Sequence, residues 1–351
     1  MKLSVLDLAP VFDGADAAGA LAQASSLAQA AERAGYHRYW VAEHHDMPRL
    51  ACTSPEVLLS HIGARTKTIR IGSGATLLPH YKPIKVAESF HMLSSLYPGR
   101  VDLGIGRAPG GSAHVMMALS GNFLENVRVL PQSIRDLTAL LANEYVHEGE
   151  PVTARPLPPV APEVWMLGTN RKSAAYAAEF GTGYVFGQFM SNLDGSQVLA
   201  SYRENFRPSR LCREPRAIVA IGVICADSEE EAQRWAAEAR RWFQPEPDSP
   251  DAAFSANAPS MEAPANATAT FPDSRHRQEQ ASAPVSAGPA SSPAAASGSG
   301  RLLVGRPDDI RSRLEELSSA CGTDEFLIVT LVPDYACRLR SYELLAKAVL
   351  G

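Results

Sequence analysis

The chain has 351 residues, 45% of them hydrophobic and 20% charged, the composition of a soluble globular protein with a substantial core. Its formal net charge is −5 with acids and bases interspersed, so neither a nucleic-acid partner nor a membrane-surface patch is expected. No apolar run approaches the ~20 residues of a membrane span, and the N-terminus lacks the basic-then-apolar layout of a signal peptide. The five cysteines (Cys52, Cys212, Cys225, Cys321 and Cys337) form no CxxC pair, which favours reduced thiols and a cytoplasmic protein.

Strand-like and helical patterns alternate from the start. Leu3 to Leu8 reads as a first strand. Leu21, Ala24, Leu27, Ala28, Ala31 and Ala34 then recur at helical spacing until Gly35 ends the helix. Tyr39, Trp40 and Val41 form a second strand, followed by a helix near Pro55 to Ala64 and a third strand over Ile69 to Leu78. A helix carrying Val86, Phe90, Leu93 and Leu96 closes at Pro98-Gly99, and Val101 to Ile105 is the fourth strand. Later strands are expected at Glu163 to Leu167, Gly183 to Phe186, Ala217 to Cys225 and Phe326 to Leu331, with final helices starting near Pro307 and Tyr335. About eight strands separated by helices is the count that closes a (β/α)8 barrel. The expected fold class is therefore α/β, a single TIM-barrel domain over residues 1–351. One stretch, Pro245 to Gly300, is rich in Ala, Pro and Ser and breaks the rhythm; it reads as a flexible or disordered low-complexity insertion between strands 7 and 8. The Asn266-Ala267-Thr268 sequon inside it is a chance match in a cytosolic chain.

Four strand ends carry the chemistry. The second strand finishes in Glu43-His44-His45, titratable groups where a buried strand should simply turn, and carboxyl-terminal strand ends are where ligands bind in parallel α/β proteins. Adjacent residues on an extended chain point in opposite directions, so the two histidines do not converge on a metal, and no HExxH or Cys/His cluster supports one. A hydrogen-bond partner or general base is the better role for His44, with a structurally satisfied histidine as the alternative, more so for His45. The third strand ends in the small residues Gly72-Ser73-Gly74-Ala75, marking either a bulge or a close ligand approach. Gly104-Ile105-Gly106-Arg107-Ala108-Pro109-Gly110 fails as a GxGxxG dinucleotide loop because Pro109 occupies the third glycine position. It reads instead as a strand end whose glycines admit a flat ring and whose Arg107 could face a phosphate, against a tight turn with a surface arginine. Gly168-Thr169-Asn170-Arg171-Lys172-Ser173 is a polar turn into a helix, suited to a phosphate but equally to ordinary N-capping.

In this order and these sequences, notably Gly35 to His45 and Pro98 to Arg107, the chain resembles the bacterial luciferase-like flavin monooxygenases, most closely the oxidoreductases of that family associated with secondary metabolism. The resemblance implies a barrel binding reduced flavin mononucleotide (FMN), with Arg107, Thr169, Asn170 and Ser173 on the phosphate and His44 over the ring. It also implies a non-proline cis peptide at Gly74-Ala75 beneath the flavin. Glu43, His44 and His45 are the catalytic candidates, and Gly74, Ala75, Gly106, Arg107, Gly168, Thr169, Asn170 and Ser173 the cofactor-binding ones; no metal is expected. The implied activity uses molecular oxygen, through a flavin hydroperoxide, on a small organic substrate such as an aldehyde, ketone or natural-product intermediate. The chain shows no nicotinamide fingerprint, so a separate reductase is expected to supply the reduced flavin. A homodimer is expected from the family. Light-emitting members carry a cysteine where this chain has Gly106, so luminescence is not implied. Two alternatives on the same fold stay open: hydride transfer with a deazaflavin, and a non-catalytic flavin-binding protein.

Overall fold

A computed structural model describes residues 1–243 and 301–351. The expected insertion at 245–300, with its Asn266 sequon, lies outside the described residues. The elements run β1 (Lys2–Asp7), α1 (Ala17–Arg33), β2 (Arg38–Val41), α2 (Pro55–Arg65), β3 (Arg70–Ser73), β4 (Thr76–Leu77), α3 (Pro83–Leu96), β5 (Val101–Gly106), α4 (Ala113–Ser120), α5 (Phe123–Arg128) and α6 (Leu130–Leu141). They continue with β6 (Val146–His147), β7 (Glu150–Pro151), β8 (Glu163–Gly168), α7 (Arg171–Glu179), β9 (Gly183–Gly187), α8 (Gly195–Glu204), β10 (Ala217–Cys225), α9 (Glu229–Phe243), β11 (Leu302–Gly305), α10 (Pro307–Cys321), β12 (Glu325–Val329) and α11 (Tyr335–Val349).

Strands β1, β2, β3, β5, β8, β9, β10 and β12 pair in parallel and close on themselves through β9–β10 and β12–β1, giving the eight-stranded barrel. The ring has the expected strand count and order. Beyond the end of β9, the last residues of β10 pair with β11, which re-enters after residue 300. The cis Gly74–Ala75 bond that the resemblance implied is present, and it breaks the strand expected over Ile69 to Leu78 into β3 and β4, with β4 transferring its pairing to the end of β5. Strand β11 was not expected. Between β5 and β8 the chain inserts three helices and a small β6–β7 hairpin rather than one crossover helix.

Side-chain alternation decides what each strand shows to the barrel interior. Leu6, Trp40, Ala42, Trp165, Val185, Ile218, Ala220, Leu327 and Val329 fill the inside, while Tyr39, Val41 and their neighbours pack outward under the helices. The amino-terminal end is sealed by a buried ionic layer. Arg38 reaches Asp102 at 2.8 Å, Glu163 at 3.2 Å and Glu325 at 2.6 Å, and stacks on Trp165 with Arg216 on the same ring. Arg70 adds a second cation on Asp102. A buried charge needs such pairing, and this face of a barrel serves stability. At the opposite end the interior is topped by half-buried Leu8, Leu167, Phe189 and Leu331, an apolar mouth.

Candidate active site

The period-2 alternation of β2 sorts the Glu43-His44-His45 triplet. Trp40 and Ala42 point inward, so His44 continues the inner row, while Glu43 and His45 continue the outer row of Tyr39 and Val41. The Glu43 carboxylate is 2% exposed and fully engaged. Its Oε1 accepts from Tyr81 at 2.7 Å and meets His45 Nε2 at 2.8 Å, and its Oε2 accepts the Leu77 N–H at 3.0 Å. It therefore ties the end of β2 to β4 on the far side of the cis bond. Burial and the adjacent Glu43 charge push the Tyr81 phenol up, so the hydroxyl is a fixed donor. The sequence reading did not single out Tyr81 or Leu77; no spacing rule links them to Glu43, because the broken third strand brings them together.

His44 is the unsatisfied member. Its Nδ1 is buried with no hydrogen-bond partner among the described residues. Burial, with a smaller contribution from His45, lowers its pKa from 6.5 to about 4. The imidazole is thus neutral at physiological pH, with one ring nitrogen buried and idle among the described residues.

The ends of the next two strands are close-packed at their glycines. A methyl group on Gly106 would lie 3.0 Å from the Ala75 Cβ, and one on Gly74 would lie 2.6 Å from Leu6. Gly104 is also a packing glycine, since a methyl there would fall 2.1 Å from the Ser73 carbonyl oxygen of the neighbouring strand. The small residues after the third and fourth strands thus come together as one shelf.

At the next corner, Ile105 of β5 pairs with Met166 of β8, which brings Arg107 level with the Gly168–Ser173 turn. The half-buried Arg107 guanidinium makes no hydrogen bond or ion pair among the described residues, yet its charge reaches the Tyr184 hydroxyl. That hydroxyl lies 3.2 Å from Ser173 Oγ, 3.3 Å from the Asn170 carbonyl and 3.4 Å from the Gly168 carbonyl. The four phosphate candidates are not equally free. Asn170 Oδ1 caps α7 by accepting the N–H groups of Lys172 at 3.1 Å and Ser173 at 3.2 Å. Ser173 Oγ donates to the Asn170 carbonyl at 2.8 Å and is buried, with its Cβ filling the space above Gly168. The Thr169 carbonyl accepts from Ser191 at 2.8 Å while its hydroxyl stays unengaged among the described residues. Arg107, the Thr169 hydroxyl and the Asn170 Nδ2 amide are the donors left unengaged among the described residues, while Asn170 Oδ1 and Ser173 build the corner. Tyr184 was not anticipated, since in sequence it is one aromatic in a buried strand.

Among the described residues no group of three or more His, Cys, Asp or Glu side chains is placed to hold a metal ion, and no helix is long and apolar enough to cross a membrane.

Comparison with known proteins identifies the family and the fold. The family model described as luciferase-like monooxygenase matches residues 1–324. The chain is 40% identical over 350 residues to the uncharacterised protein YwcH of Bacillus subtilis (strain 168), covering 99% of each. It is 38% identical over 236 residues to a luciferase-like monooxygenase of Escherichia coli (strain K12), covering 66% of this chain and 69% of that one. Among solved structures, apo-MsnO8 matches with a TM-score of 0.77 at 33% identity, over 99% of this chain and 98% of that one. Two more distant structures share the fold. The oxygenating constituent of 3,6-diketocamphane monooxygenase from Pseudomonas putida, in complex with FMN, has a TM-score of 0.64 at 20% identity, over 99% of this chain and 97% of that one. An F420-dependent secondary alcohol dehydrogenase has a TM-score of 0.63 at 16% identity, over 99% of this chain and 98% of that one. This chain belongs to the bacterial luciferase-like monooxygenase family.

Proposed function

We propose that the barrel mouth binds reduced FMN and that the protein uses it with molecular oxygen to oxygenate a small organic substrate. The observation that carries this reading is the idle, buried His44 Nδ1 at the end of β2, with closely approaching small residues, Ala75 and Gly106, at the ends of the next two strands and an unpaired Arg107 just after them. An orphaned buried ring nitrogen costs about 1–3 kcal/mol, so it is expected where a ligand supplies the partner. A flat ring fits over Gly74, Ala75 and Gly106, and a phosphate fits Arg107 with the Thr169 hydroxyl. Bound reduced flavin supplies the electrons for oxygen chemistry.

The protein residues divide the remaining work. Neutral His44 accepts or holds a proton above the shelf, and its low pKa keeps it unprotonated across the physiological range. Glu43 and His45 fix its backbone rather than facing the mouth. Leu8, Leu167, Phe189 and Leu331 exclude water from the reacting atoms. A separate reductase delivers the reduced flavin, and the substrate is an apolar organic molecule matched to that lining.

Anaerobic titration of the purified protein with reduced FMN and with reduced F420 tests the cofactor assignment. Tighter binding of FMN is expected; preference for the deazaflavin would replace this reading with hydride transfer on the same fold.

A further inference from the structure

The segment between β5 and α6 is held in an unusual way. Its helices α4 and α5 bury no residue. They rest on a 3-10 turn, Leu78–His80, that follows β4. His80 Nε2 donates to the Pro109 carbonyl at 2.9 Å, and His80 Nδ1 lies 3.2 Å from Ser120 Oγ, so one ring bridges the start of the segment and the end of α4. Phe123, the first residue of α5, packs on the same ring at 5.1 Å, and Asn126 Nδ2 donates to the Pro79 carbonyl at 2.9 Å. On its other side the His80 ring meets the His45 ring edge-on at 6.0 Å. The His45 N–H in turn donates to the Gly110 carbonyl at 2.8 Å. Clearance there is small: Gly110 sits at φ +71°, and a methyl on Gly111 would lie 2.5 Å from the His45 carbonyl oxygen.

We propose that His80 is a positioning residue, a latch that holds the α4–α5 flap against the end of β2 and so fixes the backbone that aims His44. Lacking a buried anchor of their own, the two helices are released as a unit when the ring's bonds are lost, while the barrel stays folded. The latch depends on the flavin reading only for its consequence in turnover.

Amide hydrogen exchange of the full chain, without flavin, tests it. His80→Phe keeps an aromatic ring against Phe123 and removes both hydrogen bonds; His80→Gln returns an N–H where Nε2 stands. Amides of residues 112–128 are expected to exchange about tenfold faster in His80→Phe, with those of β1 and β9 unchanged and His80→Gln within about threefold of wild type. Ser120→Ala, made on the flap itself, is expected to give about a threefold increase over the same residues. Unchanged flap exchange in His80→Phe, faster exchange throughout the barrel, or no rescue by glutamine would overturn the proposal. Failure of the flavin reading would show separately, as absent FMN binding by wild type with this exchange pattern intact.

Discussion

Replacing His44 with asparagine should make the protein less sensitive to acid, and the size of the effect follows from its burial. The ordinary histidine value is 6.5, and burial holds His44 near 4 in the folded chain. A histidine depressed in this way takes up its proton more readily when unfolded, so wild type loses stability as pH falls through 6.5, and the loss stops growing near 4. At about pH 5 the unfolded chain is protonated at this site and the folded chain is not. At 1.36 kcal/mol per pH unit, that difference is worth about 2 kcal/mol relative to pH 7.5. The asparagine side chain of His44→Asn cannot titrate, and every other titrating group is common to both proteins. Equilibrium urea unfolding at about pH 7.5 and about pH 5 should therefore show wild type losing about 2 kcal/mol more than His44→Asn over that interval. Parallel losses, agreeing within about 0.5 kcal/mol, would refute the claim that His44 is buried and neutral in the mouth.

Other substitutions separate support from site. Glu43→Gln puts an amide N–H against one of three donors and should lower stability by about 1–3 kcal/mol in urea unfolding; normal stability with turnover abolished would make Glu43 catalytic instead. Asp102→Asn leaves Arg38 and Arg70 undercompensated at the sealed end and should cost about 3–5 kcal/mol in the same assay, while FMN affinity per folded molecule stays unchanged. Gly106→Val should weaken FMN binding by more than about tenfold for a stability loss of about 1–3 kcal/mol, whereas Gly104→Ala should show the reverse emphasis because its methyl strikes backbone. Turnover with reduced FMN, isotopically heavy oxygen and a panel of aldehydes and ketones should place one heavy oxygen atom in the product by mass spectrometry; a product that gains hydrogen but no oxygen would point to hydride transfer.

Much of the barrel was legible because its signals are local. The periodic Leu and Ala of α1, the Gly35 stop at φ +83° and the apolar runs of β5 and β10 each follow from chain geometry that needs no distant partner. The break in the third strand was legible only through family resemblance, since Gly74-Ala75 has no periodicity that marks a cis bond. The α4–α6 excursion was missed although Leu130, Ile134, Leu137 and Leu141 repeat at helical spacing, a signal present in the sequence that the barrel rhythm overshadowed. At the site, the strand ends themselves could be read, but not the division of labour among them. Alternation shows that Glu43 and His44 diverge; which one faces inward depends on whether Trp40 or Tyr39 fills the barrel. Tyr81, His80 and Tyr184 act through contacts between segments far apart in sequence, which a linear pattern does not encode.

The central claim is that the mouth holds a flavin by its phosphate at Arg107. Anaerobic titration of wild type and Arg107→Ala with reduced FMN and with reduced riboflavin, which lacks the phosphate, isolates that contact. A charge-assisted bond of about 1.5–3 kcal/mol gives wild type roughly a 10- to 150-fold preference for FMN, and the preference should collapse in Arg107→Ala while riboflavin affinity barely moves. Equal affinity of wild type for the two flavins, or a preference for FMN that survives in Arg107→Ala, would contradict the assignment.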